Sequence, residues 1–247
     1  MIITAYKTCK IVPGDDLFAV LDSYLPRLND GDVVAVSSKI VSLCQNDVVK
    51  KGGSLKKEDV IKEESDYYYD GRRDVKHGVI ITLKDGVIGA NGGVDESNGV
   101  GVYIKLPSRP FSACEKMWRF LKSKNRLSRL GIIITDSHSF PFRYGVIGVG
   151  IAWCGFYPLR DYGNAPDIWQ SSMTGTITNH LDALAVAAVH EMGEGDEQTP
   201  LCVISGDRKI VFNDNPPTDQ EISAFIVPAN KDIYSPLFNV MKWKTSR

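Results

Sequence analysis

Hydrophobic residues in this chain recur at helical spacing in three segments and alternate or run continuously in most others. Behind Asp15–Asp16, Leu17, Val20, Leu21 and Leu25 fall at i, i+3, i+4 and i+8, so DDLFAVLDSYLPRL reads as an amphipathic helix. Residues 111–124 read the same way, with Cys114, Met117, Trp118 and Leu121 on one stripe. The alanine-rich run 177–192 predicts a long helix, entered from Thr174-Gly175-Thr176 and terminated by Gly193. A more polar helix is expected around residues 56–68.

Buried strands are expected at 33–38 and 130–135, where apolar residues are continuous, and shorter ones at 1–6, 201–205 and 222–227. Around Lys84-Asp85-Gly86 the pattern predicts a hairpin within 78–89. The segment GVIGVGIAWCG predicts a strand that other backbone approaches closely. Hairpins mixed with strand–helix units give an α+β or mixed α/β fold. No repeat, low-complexity tract or dispensable linker divides the chain.

Composition changes this picture little. Apolar content of 43% and charged content of 24% fit an ordinary globular protein, and 247 residues suffice for a substantial core. The net charge of -1 and the lack of a long basic run argue against a nucleic-acid partner. No signal-like apolar run opens the chain and no stretch is long enough to span a bilayer, so no membrane association is expected. Five scattered cysteines without a CxxC read as reduced thiols of a cytoplasmic protein.

The candidate chemistry lies in three acidic signatures read as turns: NGGVDESN at 91–98, ITDS at 134–137 and MGEGD at 192–196. Asp95, Asp136 and Glu194 are candidates for one oxygen-rich site for a hard cation working on phosphate. The bland alternative is that these are ordinary Asx and Gly turns. Asp136 is read at the end of a buried strand, where open sheets expose ligand groups, with Ser137 and His138 beside it. Glu194, just past a helix C-terminus, opposes the helix dipole unless a cation or solvent offsets it. Lys39 is a mobile point charge for phosphate, Arg143 a fork for carboxylate or phosphate, and Asn98 an amide for a nucleotide. Asp182 lines the same cleft or forms a routine salt bridge. Neither GxGxxG nor GxxxxGK[ST] occurs, so a Rossmann cofactor site and a P-loop are unsupported.

Four of these segments, in order, carry a resemblance: DGDVVAVSSKIVS, HGVIITLKDGVIGANGGVDESN, GIIITDS with FRYG after it, and the helix ending MGEG. Over roughly residues 10–206 the chain resembles the coenzyme F420-0:γ-glutamyl ligase family. The resemblance implies a two-part fold with mixed sheets, one domain over residues 1–247 with interleaved parts, and an intertwined homodimer. It implies joining L-glutamate to the lactyl carboxylate of F420-0 through an acyl phosphate, with GTP or ATP and Mg²⁺ or Mn²⁺. By the same resemblance, Asp95, Asp136, Ser137 and Glu194 are metal ligands. Thr8, Cys9, Lys10, Ile11, Ser38, Lys39 and Asn98 lie on the nucleotide side, while Lys39, Arg143 and Asp182 serve catalysis.

The chain also departs from the family pattern. Leu43-Cys44-Gln45 stands where the family has a lysine-bearing SKAEG segment, and Ser139, Phe140 and Tyr144 replace a glycine and two basic residues. Phe140 and Tyr144 offer stacking surface where the family offers charge, which favours a flat aromatic acceptor. The alternatives are therefore a related amide ligase acting on a folate-like acceptor, or a non-catalytic binding protein on the same fold.

Overall fold

The computed structural model describes residues 1–71, 78–99 and 101–246. His77, the first residue of the second resembling segment, lies outside them. The chain opens with β1 (Ile2–Tyr6) and α1 (Leu17–Tyr24). Asp16 caps α1 by accepting the Phe18 and Ala19 amides, and Leu17, Val20 and Leu21 form its buried stripe. Next, β2 (Asp32–Ser37) runs directly into α2 (Ser38–Gln45), a helix for which the sequence reading had no element.

The short strand β3 (Val48–Lys50) is followed by α3 (Lys57–Glu64), which stops well before Tyr68. Instead, Tyr67–Tyr69 form β4, because three consecutive tyrosines suit a pleated surface better than a helix. The expected hairpin is present as β5 (Ile81–Lys84) and β6 (Val87–Ala90), with Lys84 opposite Val87. Its loop residues Asp85 and Gly86 both have positive φ, 50° and 80°, which the DG pair favours. A tight turn over Asn91–Gly93 leads to β7 (Val102–Ile104), and α4 (Pro110–Asn125) starts with Pro at its first turn.

Two strands then form one long hairpin, β8 (Leu130–Ser139) and β9 (Val146–Cys154). Asp136 does not end its strand as expected. β8 is buried up to Thr135 and then continues as a more exposed arm beyond a bulge at Ile134/Thr135. After β10 (Leu159–Asp161) and β11 (Ile177–Asn179), α5 (His180–Met192) begins three residues later than expected. Ile177–Asn179 pair with β10, and Asn179 caps the helix. The chain finishes with β12 (Leu201–Ser205), α6 (Asp219–Phe225), α7 (Ser235–Val240) and β13 (Lys244–Thr245). The strand expected at 222–227 is largely helix, because Thr218 and Glu221 form a capping box that starts α6.

The principal sheet has the order β1-β12-β2-β8-β9, with β2 and β8 parallel and the other neighbours antiparallel. One face packs on α1, α2 and α4 through Val34, Val36, Ile132, Ile134, Met117 and Leu121. The other packs on α5 through Val33, Ala35, Ile133, Leu181 and Ala185. Each fully buried Leu or Ile contributes about 1.5–3 kcal/mol, so the α5 and α4 stripes hold both faces covered. The glycines of β9 allow this closeness. A Cβ on Gly148 would lie 2.3 Å from the Ala185 carbonyl oxygen, and one on Gly150 would lie 2.4 Å from Leu181 Cγ. A second sheet, β13-β4-β5-β6, packs Ile80 and Tyr68 with Val60 and Ile61 of α3. The result is a mixed α/β fold. Among the described residues, no helix is long and apolar enough to cross a membrane.

Trp118 joins α4 to the start of β8 by donating its indole N–H to the Leu130 carbonyl at 2.8 Å inside the core. Trp118→Phe is expected to lose about 2–3 kcal/mol of stability, from an unpaired buried carbonyl and lost volume. Urea unfolding followed by circular dichroism measures this.

Candidate functional site

The candidate residues gather where β2 and β8 run side by side toward their carboxyl ends. There β2 becomes α2, so Ser38 and Lys39 occupy the first helical turn. Ser37, the N-cap residue, makes no side-chain capping bond. The first-turn N–H groups of such a helix, with its positive dipole end, favour an anion. This helix start is the main functional feature absent from the sequence reading. Ser37 is an N-cap residue type, but the apolar run after it is short, and such runs do not distinguish strand from helix.

Ser38 is buried and donates its hydroxyl to Asp136 Oδ1 at 2.8 Å, tying α2 to β8. Lys39 Nζ meets Asp95 Oδ2 at 2.6 Å and Ser97 Oγ at 3.3 Å. Asp95 Oδ1 accepts the Glu96 and Ser97 amides at 2.6 and 2.8 Å, and Ser97 Oγ donates to Oδ2 at 2.7 Å. The turn thus fixes the carboxylate before any ligand arrives. Ser97 was not singled out from the sequence, although an Asp-x-Ser turn is the signal that would have found it. Asn98 sits in the same turn, exposed, with φ 59°.

The two carboxyls differ in their proton affinity. Burial pushes Asp95 up, but the bonds from Lys39 and Ser97 outweigh it and hold the group down at about 2. Burial dominates for Asp136 and raises it to about 6, against the hydrogen bonds from Ser38 and the Ser137 amide and the pull of Lys39; the charge of Asp95 adds to the rise. Asp95, Lys39, Ser38 and Asp136 therefore form one electrostatic unit.

On the other side of the same strand, Ser137 donates to the Glu194 carboxylate, 2.8 Å from each oxygen. Glu194 is exposed on the loop after α5, where Glu197 folds back to accept the Gly195 amide at 2.7 Å. That loop is fastened to the nucleotide-side segment, since Thr8 N–H donates to Gln198 O at 3.0 Å and Gln198 Nε2 donates to Thr8 O at 2.6 Å. It also holds the end of β2, where Ser37 N–H donates to Pro200 O at 2.9 Å. Thr8 is buried, Cys9 and Lys10 are exposed, and Ile11 packs against the core on the α2 side.

Two candidates lie apart from this centre. Arg143 is exposed at the tip of the β8–β9 hairpin, which begins roughly 13 Å along the strand from Asp136. Phe140, Phe142 and Tyr144 share that tip and are exposed. Asp182 lies near the start of α5, roughly 15 Å along the helix from Met192, after which the loop carrying Glu194 begins. Its carboxylate accepts the Gly150 amide at 2.9 Å and Asn179 Nδ2 at 2.5 Å, which fastens α5 to β9. Burial pushes the His138 imidazole below its usual value, with the charge of Asp182 opposing.

Among the described residues, no group of three or more His, Cys, Asp or Glu side chains is gathered tightly enough to hold a metal by itself. The candidates instead form two oxygen-donor groups, Asp95 with Asp136 and Ser137 with Glu194, joined through adjacent residues of β8. Carboxylates and hydroxyls are the donors a hard cation takes. Mg²⁺ in particular uses one or two carboxylates together with substrate phosphates and water, so this donor set fits it.

Comparison with known proteins places the chain in a family. The profile of the F420-0:Gamma-glutamyl ligase family matches residues 6–206. The chain is 32% identical over 214 residues to the coenzyme F420:L-glutamate ligase of Methanopyrus kandleri, covering 80% of this chain and 83% of that protein. It is 30% identical to the enzyme of the same name from Methanothermobacter thermautotrophicus, covering 78% and 83%. For that of Halobacterium salinarum the identity is 30%, covering 85% and 87%.

Proposed function

The chain belongs to the F420-0:gamma-glutamyl ligase family, and on that premise we propose how its site works. It is a coenzyme F420-0:L-glutamate ligase that uses GTP and Mg²⁺ or Mn²⁺ to join the glutamate amine to the F420-0 carboxylate. The observation that carries this reading is the convergence of Ser38, Lys39, Asp95 and Asp136 where β2 turns into α2. Open sheets bind ligands outside the carboxyl ends of their strands.

A carboxylate oxygen is a poor leaving group, so amide formation requires that it first be phosphorylated. Attack of the F420-0 carboxylate on the γ-phosphorus releases GDP and gives an acyl phosphate, and attack of the glutamate amine on its carbonyl carbon expels phosphate with loss of a proton. Lys39 and the first-turn amides of α2 bind phosphate oxygens and orient the γ-phosphoryl toward the acceptor. Asp95, Asp136, Ser137 and Glu194 would hold the divalent cation, which when bound would offset negative charge on the phosphoryl oxygens. Thr8–Ile11 and Asn98 flank the nucleotide. Arg143 engages the acceptor's charged end, with Phe140 and Tyr144 giving stacking surface beside it. Asp182 acts at one remove, by holding α5 against β9. The acyl phosphate needs protection from water, so this reading calls for a cleft that closes or excludes water during the reaction.

The same reading takes the chain as one domain over residues 1–247 with interleaved parts, acting as a homodimer. Exposed apolar side chains at the hairpin tip and at Ile233, Leu237 and Val240 support association with a second copy. Light scattering after size exclusion tests the dimer. Phosphate release tests the chemistry: it is expected only when GTP, cation, glutamate and F420-0 are all present, and is expected to stop on chelation. Release with a reduced folate in place of F420-0, and none with F420-0, would move the acceptor assignment.

A further inference from the structure

We propose that Lys39 competes with the divalent cation for Asp95 and, once displaced, becomes the phosphate ligand, so that metal binding switches the nucleotide site on. This rests on the metal role assigned to Asp95 above. Its basis is the way the carboxylate is held. Asp95 Oδ1 is committed to the Glu96 and Ser97 amides at 2.6 and 2.8 Å, so the carboxylate does not rotate freely. Oδ2 is the oxygen left to serve a cation, and the Lys39 ammonium sits on it at 2.6 Å, with Ser97 Oγ at 2.7 Å.

An ammonium and a divalent ion do not share one carboxylate oxygen at contact distance, because like charges repel strongly in a partly desolvated site. The Lys39 and Asp95 side chains are 31% and 36% exposed, which leaves the pair accessible to an entering ion. Lys39 has somewhere to go. Its Cα lies in the first turn of α2, at the helix end that attracts phosphate, and its stem is long and rotatable. In one arrangement it neutralises Asp95. In the other it neutralises phosphate while the metal takes Asp95. Neither carboxylate nor phosphate is left without a counter-charge, and phosphate binding without metal is disfavoured because it would strip Lys39 from Asp95.

The test is calorimetric titration of Mn²⁺ into nucleotide-free wild-type protein and the Lys39→Met, Lys39→Arg and Asp95→Asn variants, each checked for native circular dichroism. Lys39→Met is expected to bind Mn²⁺ about tenfold more tightly than wild type, since one competitor is gone. Lys39→Arg, which keeps a competing cation, is expected to stay close to wild type, and Asp95→Asn to lose the binding. In parallel, the factor by which Mn²⁺ tightens binding of a non-hydrolysable GTP analogue is expected to shrink by about tenfold in Lys39→Met, with the reciprocal change for Mn²⁺. Unchanged or weaker Mn²⁺ binding in Lys39→Met would overturn the competition while leaving the ligase reading in place. Mn²⁺ binding that survives Asp95→Asn, or that is absent from wild type, would overturn the metal assignment and the competition together.

Discussion

Replacing Asp136 by asparagine is expected to cut glutamate transfer by about 10³-fold or more while making the metal-free protein more stable at neutral pH. The two effects share one cause. Asp136 is a carboxyl raised to about 6 by burial, from a usual value of 3.8. A carboxyl whose folded value is raised binds its proton more tightly in the folded state than in the unfolded one. Its contribution is therefore full below the unfolded value and is lost as pH rises between the two values. At pH 7 the ionised group opposes folding by roughly 2–3 kcal/mol, and a neutral amide removes that cost. Asparagine still presents an oxygen to the Ser38 hydroxyl, so the tie between α2 and β8 is kept. What it cannot supply is the negative charge a divalent cation requires. Chemical denaturation in chelator is expected to show Asp136→Asn above wild type at pH 7 and level with it below about pH 4. Full activity, or lower stability at pH 7, would show that the carboxylate is a structural group.

Gly148→Ala is the second large effect, and it reaches the site from a distance. The new methyl would lie 2.3 Å from the Ala185 carbonyl oxygen, a backbone atom of α5 that has no rotamer in which to escape. Either β9 or α5 must shift, at about 1–3 kcal/mol of overpacking strain. Gly148 is paired with Ser137, and Ser137 bonds Glu194 just beyond the end of α5. Movement of α5 therefore opens the Ser137–Glu194 contact, and a misplacement near 1 Å at reacting groups is worth about 10²-fold in rate. Gly52→Ala serves as control, since nothing lies within 4 Å of its added carbon and its φ is not positive. Loss of both stability and transfer in Gly148→Ala, with neither in Gly52→Ala, is the expected pattern. A drop in stability alone would separate α5 packing from the chemistry.

These two residues also mark what the sequence makes legible. The close approach at Gly148 was readable, because glycines spaced within an apolar strand have few other uses. Asp136 was readable as a candidate but was placed wrongly at a strand end. The apolar run stops at Thr135, whereas the backbone ladder runs on to Ser139, and hydrophobicity reports burial rather than pairing. The helix α2 is hard to read because it follows β2 without a break and its apolar run is short, so the local pattern does not separate helix from strand. The strand preference of Tyr67–Tyr69 is local, but the pairing with β5 that fixes it joins segments that a local window does not contain. The capping box at Thr218 and Glu221 was present in the sequence and outweighed the apolar pattern that suggested a strand. The pairing of Ser137 with Glu194, and of Lys39 with Asp95, joins residues far apart in the chain, so only the fold discloses it.

On the proposed function, the β2–α2 junction and β8 form the site that adds glutamate to F420-0. Mass spectrometry of the deazaflavin after incubation with protein, GTP, Mn²⁺ and glutamate tests it most directly, with fragmentation to locate the new bond. The expected product is one glutamyl residue heavier, amide-linked at the former F420-0 carboxylate, absent with chelator and absent with Asp136→Asn. Unmodified F420-0 in the complete mixture, with Mn²⁺ and the GTP analogue shown to bind, would contradict it.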